Sequence, residues 1–136
     1  MPIRITIPKS VLAAGNPLPT GWQQFTIGKP YTKASKDGMS MNYWVPLVFD
    51  NDASGREIEH LFNSKGIEKG FMNPFIAAIT NKTLQEISEG LETGTLEFDL
   101  EALEGTKILG KVYHTEFEGR IQSKIENFAN PAKVPF

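Results

Sequence analysis

Apolar and polar residues alternate with period two along several stretches of this chain. The clearest runs from Ser40 to Phe49. Met41, Tyr43, Val45, Leu47 and Phe49 fall on one face, and Ser40, Asn42, Trp44, Pro46 and Val48 on the other. Such alternation predicts a half-buried β-strand. An earlier stretch, Trp22 to Gly28, sets Phe25 and Ile27 against Gln24 and Thr26, and Arg56 to Asn63 is expected to return as a third strand. Further on, Lys107 to Phe117 sets Leu109, Tyr113 and Phe117 against Ile108, Val112 and His114. Arg120 to Phe128 follows with Ile121 and Ile125 on one face, and Glu118-Gly119 is the expected hairpin turn between them. At the start, Ile3, Ile5 and Ile7 alternate with Arg4 and Thr6, which predicts a short extended segment.

Between Gly66 and Gly105 the period lengthens. Met72, Ile76 and Ile79 lie at i, i+4 and i+7, the spacing of one helix face. Pro74 suits a first helical turn, so a break near Asn73, or a helix starting there with Asn73 as N-cap, is expected. Thr83 and Glu86 form a capping box for a second short helix ending at Gly90, and residues 99–105 read as one further helical turn. The chain is therefore mainly β with a short helical insert, an α+β class. Three strands, a helical stretch and two strands is the element order of an OB-fold, a five-stranded antiparallel Greek-key barrel. The expected division is an N-terminal extended segment and linker over 1–18, the barrel domain over 19–128 and a flexible C-terminal tail over 129–136.

Composition narrows the function. A chain of 136 residues fits one domain. The absence of cysteine excludes disulfides and thiolate metal sites. With no apolar run long enough for a membrane span and no signal-peptide core after Met1, a soluble, cytoplasmic protein is expected. The net charge of −2 argues against a simple basic nucleic-acid binder, and its distribution softens that objection. Glu86, Glu89, Glu92, Glu97, Asp99, Glu101 and Glu104 lie between Lys82 and Lys107 with no Lys or Arg among them; without those seven the remainder carries +5.

Lys29, Lys33 and Lys36 interleave with Tyr31 in the connection between the first two strands. Lysines beside aromatic rings fit a surface for single-stranded nucleic acid: cations follow the phosphates and ring faces stack on bases. The phosphate candidates are Lys29, Lys33, Lys36, Arg56, Lys107, Lys111 and Arg120; the stacking candidates are Tyr31, Tyr43, Trp44, Phe62 and Tyr113. One face of each strand must fill the barrel; Tyr43 shares the more apolar face of the second strand and reads rather as core, and Trp44, beside Asn42 and Ser40, is the better stacking candidate, with packing under a helix as its competing reading. A plain solvated hairpin is the competing reading of the lysines.

Enzymatic readings are weak. His60 and His114 are the only histidines, no spacing pairs metal ligands on one helix face, and no glycine-rich phosphate loop is present. A metal-dependent nuclease would need Asp50, Asp52, Glu57 and His60, which sit in and after a turn. The stretch 50–55 starts like a calcium loop, but Leu61 stands where a bidentate Glu is required. No catalytic residue, metal or cofactor is assigned.

Pro19-Thr20-Gly21-Trp22, Ser35-Lys36-Asp37-Gly38-Met39, and the sequence from Leu103-Glu104-Gly105 to Glu118-Gly119-Arg120 with Asn127-Phe128 together resemble a family of small phage-encoded proteins described as single-stranded DNA-binding proteins with an OB-fold. The likeness covers about Pro19 to Phe128. It implies a barrel fold and a sequence-tolerant single-stranded DNA-binding role in phage DNA replication or recombination, in the host cytoplasm. It carries no catalytic residue. The ending Val134-Pro135-Phe136 is similar to the Pro-Phe tip by which bacterial single-stranded DNA-binding proteins recruit replication and recombination proteins, although Lys133 replaces the acids expected before it. The competing class is a non-enzymatic virion part or a protein–protein adaptor using an exposed sheet edge. Self-association into a homo-oligomer is compatible with either class.

Overall fold

The computed structural model describes residues 2–7, 17–51 and 55–133. Within them the elements run β1 (Gly21–Ile27), β2 (Tyr31–Ala34), β3 (Met41–Phe49), β4 (Glu57–Asn63), α1 (Ser64–Glu68), α2 (Asn73–Thr80), α3 (Leu84–Glu89), a 3-10 turn over Leu100–Leu103, β5 (Lys107–Phe117) and β6 (Arg120–Ala129). The strands form one antiparallel sheet in the order β2-β3-β1-β5-β6, with β4 on the other edge of β3. β3 has three neighbours because β1 pairs with its C-terminal end, Leu47 to Phe49, and β2 with its N-terminal end, Met41 to Trp44. β4 runs along the whole opposite edge, from Asn42↔Asn63 to Val48↔Glu57.

The five strands expected from alternation are present, and the first three make one continuous antiparallel sheet. β2 is a sixth strand where a connection was expected. Its four side chains are all exposed, so no in–out alternation marks it; backbone pairing to β3 alone makes it a strand.

Phe25 and Ile27 of β1, Val45, Leu47 and Phe49 of β3, Phe62 of β4, Ile108 and Val112 of β5 and Ile125 of β6 meet in one core, closed by Met72, Phe75 and Ala78. Each large side chain so buried stabilises the fold by about 1.5–3 kcal/mol relative to exposure. A Cβ on Gly110 would stand 3.0 Å from Ile125 and 3.1 Å from Phe25, so the bare backbone there lets β1 and β6 side chains meet under β5.

The helical stretch departs from its expected phase. Met72, not Asn73, is the N-cap of α2 and makes no side-chain cap; Asn73 and Pro74 are its first two residues. Its buried positions are Phe75 and Ala78, while Ile76 and Ile79 pack only partly against the core. Gly70, at φ +87, turns the chain between α1 and α2. The capping box of α3 forms as expected: Thr83 Oγ1 accepts from Glu86 N at 3.1 Å, and Thr83 N donates to the Glu86 carboxylate at 3.2 Å. Asp99 caps the 3-10 turn.

In the β5–β6 hairpin Glu118 and Gly119 both take positive φ, 51° and 77°. A bulge at Lys111/Val112 leaves Glu126 of β6 as the extra residue; along β5 the core face runs unbroken through Ile108, Gly110 and Val112, Leu109 is also buried, and Tyr113 on the opposite face is exposed. Ile121 shares parity with Ile125 but lies near the hairpin tip, beyond the core, and is exposed. Pro2 to Ile7 belong to no strand. Linker residues 13–16, residues 52–54 of the expected turn and the final 134–136 lie outside the described residues. Among the described residues no helix is long and apolar enough to cross a membrane.

Candidate nucleic-acid interface

The outward face of β2, β3 and β4 is built by register. Tyr31 stands opposite Trp44 across β2–β3, and Leu61 stands opposite Trp44 across β3–β4. The Tyr31 and Trp44 rings stack with centroids 6.3 Å apart and planes 17° apart. The Tyr31 hydroxyl donates to Glu59 at 2.9 Å, which fixes the phenol's orientation. Desolvation, then this carboxylate, holds the phenol above its ordinary pKa. Leu61 is exposed and Trp44 partly so. The result is a small aromatic and aliphatic platform facing solvent.

Polar groups differ at its two ends. Toward Val48 the face carries Glu57 and Glu59. Toward Met41 it carries Lys33, Asn42 and Asn63 in adjacent register. Asn63 Nδ2 donates to Asn42 Oδ1 at 2.7 Å and to Ser40 Oγ at 2.9 Å, and Met41 N donates to Ser64 Oγ at 3.0 Å, tying this end together. The turn between β2 and β3 holds exposed Lys36 and is organised by Asp37, which accepts from Ser35 Oγ and Met39 N. Those two bonds, the hydroxyl's first, hold the Asp37 carboxyl below its ordinary range, and Lys65 adds to the effect. Lys65, at the start of α1, therefore joins Lys33 and Lys36 at the basic end. Among the described residues Lys29, Lys33, Lys36 and Lys65 make no ion pair; the pairs present are Lys107–Asp50 and Lys111–Glu126.

The structure divides the sequence candidates. Lys29, Tyr31, Lys33, Lys36 and Trp44 gather on or beside the β2–β3 platform. Phe62 is corrected to a core residue: it is 5 % exposed and packs against His60, Phe75 and Phe128, leaving no ring face for a base. Lys107 is engaged elsewhere, its Nζ 2.6 Å from Thr26 Oγ1 and 3.0 Å from Asp50. Arg56 is half-buried and already partnered. Lys111, Tyr113 and Arg120 lie on the β5–β6 hairpin, separated from β3 by β1 in the sheet order; Lys111 pairs with Glu126 at 3.5 Å. Tyr43 sits partly buried against the core, as its face predicts. Lys65 was missed because it belongs to a helix in sequence; its position follows only from the Asn42↔Asn63 pairing. Trp22 sits half-buried opposite Lys111 on the β1–β5 pair, apart from the platform.

Of the groups that a nuclease reading needs, Asp50 and His60 are engaged elsewhere, Glu57 is exposed, and Asp52 lies outside the described residues. Asp50 accepts from Thr26 Oγ1, Gln24 and Lys107; against desolvation, which acts to raise it, these bonds hold its carboxyl below the ordinary value. His60 lies between Phe62 and Phe128, at 4.7 and 5.0 Å, and burial with help from Lys124 lowers its pKa to about 4. His114 Nε2 is 2.7 Å from the Leu18 carbonyl. Among the described residues no three His, Asp or Glu side chains gather as a metal site. No protein-family model matches the chain, and no curated protein does.

Proposed function

We propose that this protein binds single-stranded DNA in a sequence-tolerant way through the β2–β3 platform. The observation that carries the reading is the solvent-facing Tyr31–Trp44 stack bordered by unpaired lysines at 29, 33, 36 and 65. A flat π-surface accepts any base, and neighbouring cations follow the phosphate backbone. The acids Glu57 and Glu59 repel phosphates, so the strand's path runs from the platform toward Lys33, Lys36 and Lys65.

We read the architecture as an OB-type barrel with one added strand. The pairings β1·β3, β3·β4, β1·β5 and β5·β6 supply the support, because they match first-to-second, second-to-third, first-to-fourth and fourth-to-fifth strand contacts of that fold. β2 is then an elaboration of the first loop, and the helices fill the connection between third and fourth barrel strands. Oligonucleotides bind such barrels on the second and third strands, here β3 and β4. On the family resemblance, the role proposed is in phage DNA replication or recombination within the host cytoplasm.

The test is a titration of oligo(dT) into Trp22→Phe protein, so that Trp44 alone reports. Saturable quenching at low ionic strength, weakened by salt, is expected. An unchanged emission together with no oligonucleotide binding by an independent method overturns the reading and favours a virion or adaptor role.

A further inference from the structure

Ile3, Ile5 and Ile7 are all exposed, Ile3 by 94 % and Ile5 by 82 %. Three β-branched residues alternating with Arg4 and Thr6 have the pattern of a strand although they pair with none, and such an apolar segment left in water is a pairing hazard unless it has a partner. Elsewhere the sheet has an edge without a ladder, on which His60 packs against Phe128 of β6 at 5.0 Å. Among the described residues β4 has one hydrogen-bonded neighbour, β3. Phe49 N donates to Arg56 O at 2.8 Å. The alternation of antiparallel pairing then turns the N–H and C=O of Ile58, His60 and Phe62 toward β3, and those of Glu57, Glu59 and Leu61 to the open side.

That open side borders a cleft of about 370 Å³ lined by His60, Leu61, Phe62, Ile67 and Phe71. Phe71 is 72 % exposed at its lip and also lines the adjoining cleft beside Ile125 and Phe128 of β6. The two clefts flank the seam where β4 faces β6 without a ladder between them. An apolar cleft beside an unpaired edge is the geometry that takes an added strand.

We propose that residues 2–7 of one copy add to the β4 edge of a second copy, joining chains of this protein into an oligomer. Ile3, Ile5 and Ile7 turn toward the cleft under Phe71. Arg4 and Thr6 then project on the other face, where β4 presents exposed Glu57 and Glu59, and Arg4 meets opposite charge. The occupant is a second copy because in the single chain Ile3 and Ile5 stand almost wholly in solvent, and because Arg4 of the arm complements Glu57 and Glu59 of the edge. The inference rests on the β4 edge and the arm rather than on the Tyr31–Trp44 stack, but the two surfaces adjoin: Leu61 borders both, and Glu59 also accepts from Tyr31.

The absence of cysteine makes the test clean. Ile5→Cys chains are mixed with Phe71→Cys chains carrying a size tag, and a disulfide between the two species under mild oxidation is expected. Both positions are exposed, so neither substitution threatens folding. Sedimentation of the full chain should show concentration-dependent association that weakens more than about tenfold when residues 2–7 are deleted. An Ile5→Cys/Phe71→Cys double variant that closes only within one chain overturns the proposal in favour of an intramolecular strand. A monomeric wild type, an association indifferent to the deletion, or an association without the mixed disulfide overturns it as well.

Discussion

Trp44 and Phe62 both occupy strand positions beside one another in the sheet, and their consequences on removal should differ in kind. Trp44→Ala takes away a half-exposed ring, so the fold should hold while oligonucleotide affinity falls by about 1–3 kcal/mol, read by titration on the folded variant. Phe62→Ala opens the ring cluster with Phe75 and Phe128 and should cost about 3–5 kcal/mol of stability in urea unfolding. Equal loss of stability in both would place Trp44 in the core and remove it from the platform. His60 supplies a pH signature. Its pKa falls from 6.5 to about 4 on folding, so the unfolded chain binds the proton more readily. Stability is full above pH 6.5 and declines as pH falls toward 4, by up to roughly 3 kcal/mol. In His60→Phe protein the decline between pH 6.5 and 5, above the range where carboxylates titrate, should vanish. A variant that retains it points to another group. His60 and Phe62 share β4, but only the packing shows that both rings turn inward against Phe128.

At the scale of elements, the turn of the β5–β6 hairpin offers a direct test of local conformation. Glu118 holds φ 51°, a region that costs energy for most residues and that Asn tolerates well. Glu118→Asn should stabilise by up to about 1 kcal/mol and raise Tm by a few degrees, whereas Gly119→Ala at φ 77° should do the reverse. A thermal melt of each variant decides it; no change in either would show that the tip unfolds apart from the rest. The same hairpin was legible in advance because Glu-Gly between two alternating runs is a turn signal written in adjacent residues. So was the capping box of α3, whose partners are three residues apart. β2 was not legible, since its four exposed side chains carry no burial pattern and its reason to exist is the neighbouring β3 backbone. The phase of α2 was misread because Phe75 and Ala78 are chosen by the shape of the core they close, and Ile76 is as apolar as either.

For the whole molecule, charge is the quantity that DNA would sense. With Lys29, Lys33, Lys36 and Lys65 neutralising phosphates, log K should fall against log salt with a slope of about −2 to −3, from roughly −0.7 per phosphate on a single strand. Lys33→Glu with Lys36→Glu should weaken binding more than Glu89→Gln with Glu92→Gln strengthens it, because the acids stand exposed on and after α3 rather than on the β2–β3 face. Affinity that is flat in salt would remove the electrostatic half of the proposal. The net charge of −2 predicts none of this, since it averages an acidic helical segment with a basic turn.

The five alternating strands and the α+β class were settled by residues within a few positions of one another: alternation fixes which face of β1, β3 and β4 seeks the core, and caps and turn residues fix where several elements stop. Membership of the platform was decided in three dimensions. Register brings Tyr31 to Trp44, Asn63 to Asn42 and so Lys65 to Lys33, and it sends Lys107 to Asp50 and Phe62 into the core. Those outcomes depend on contacts between residues tens of positions apart. Side-chain chemistry alone cannot rank them, because a lysine or a phenylalanine has the same local sequence signature whether its partner is a carboxylate, a ring or water.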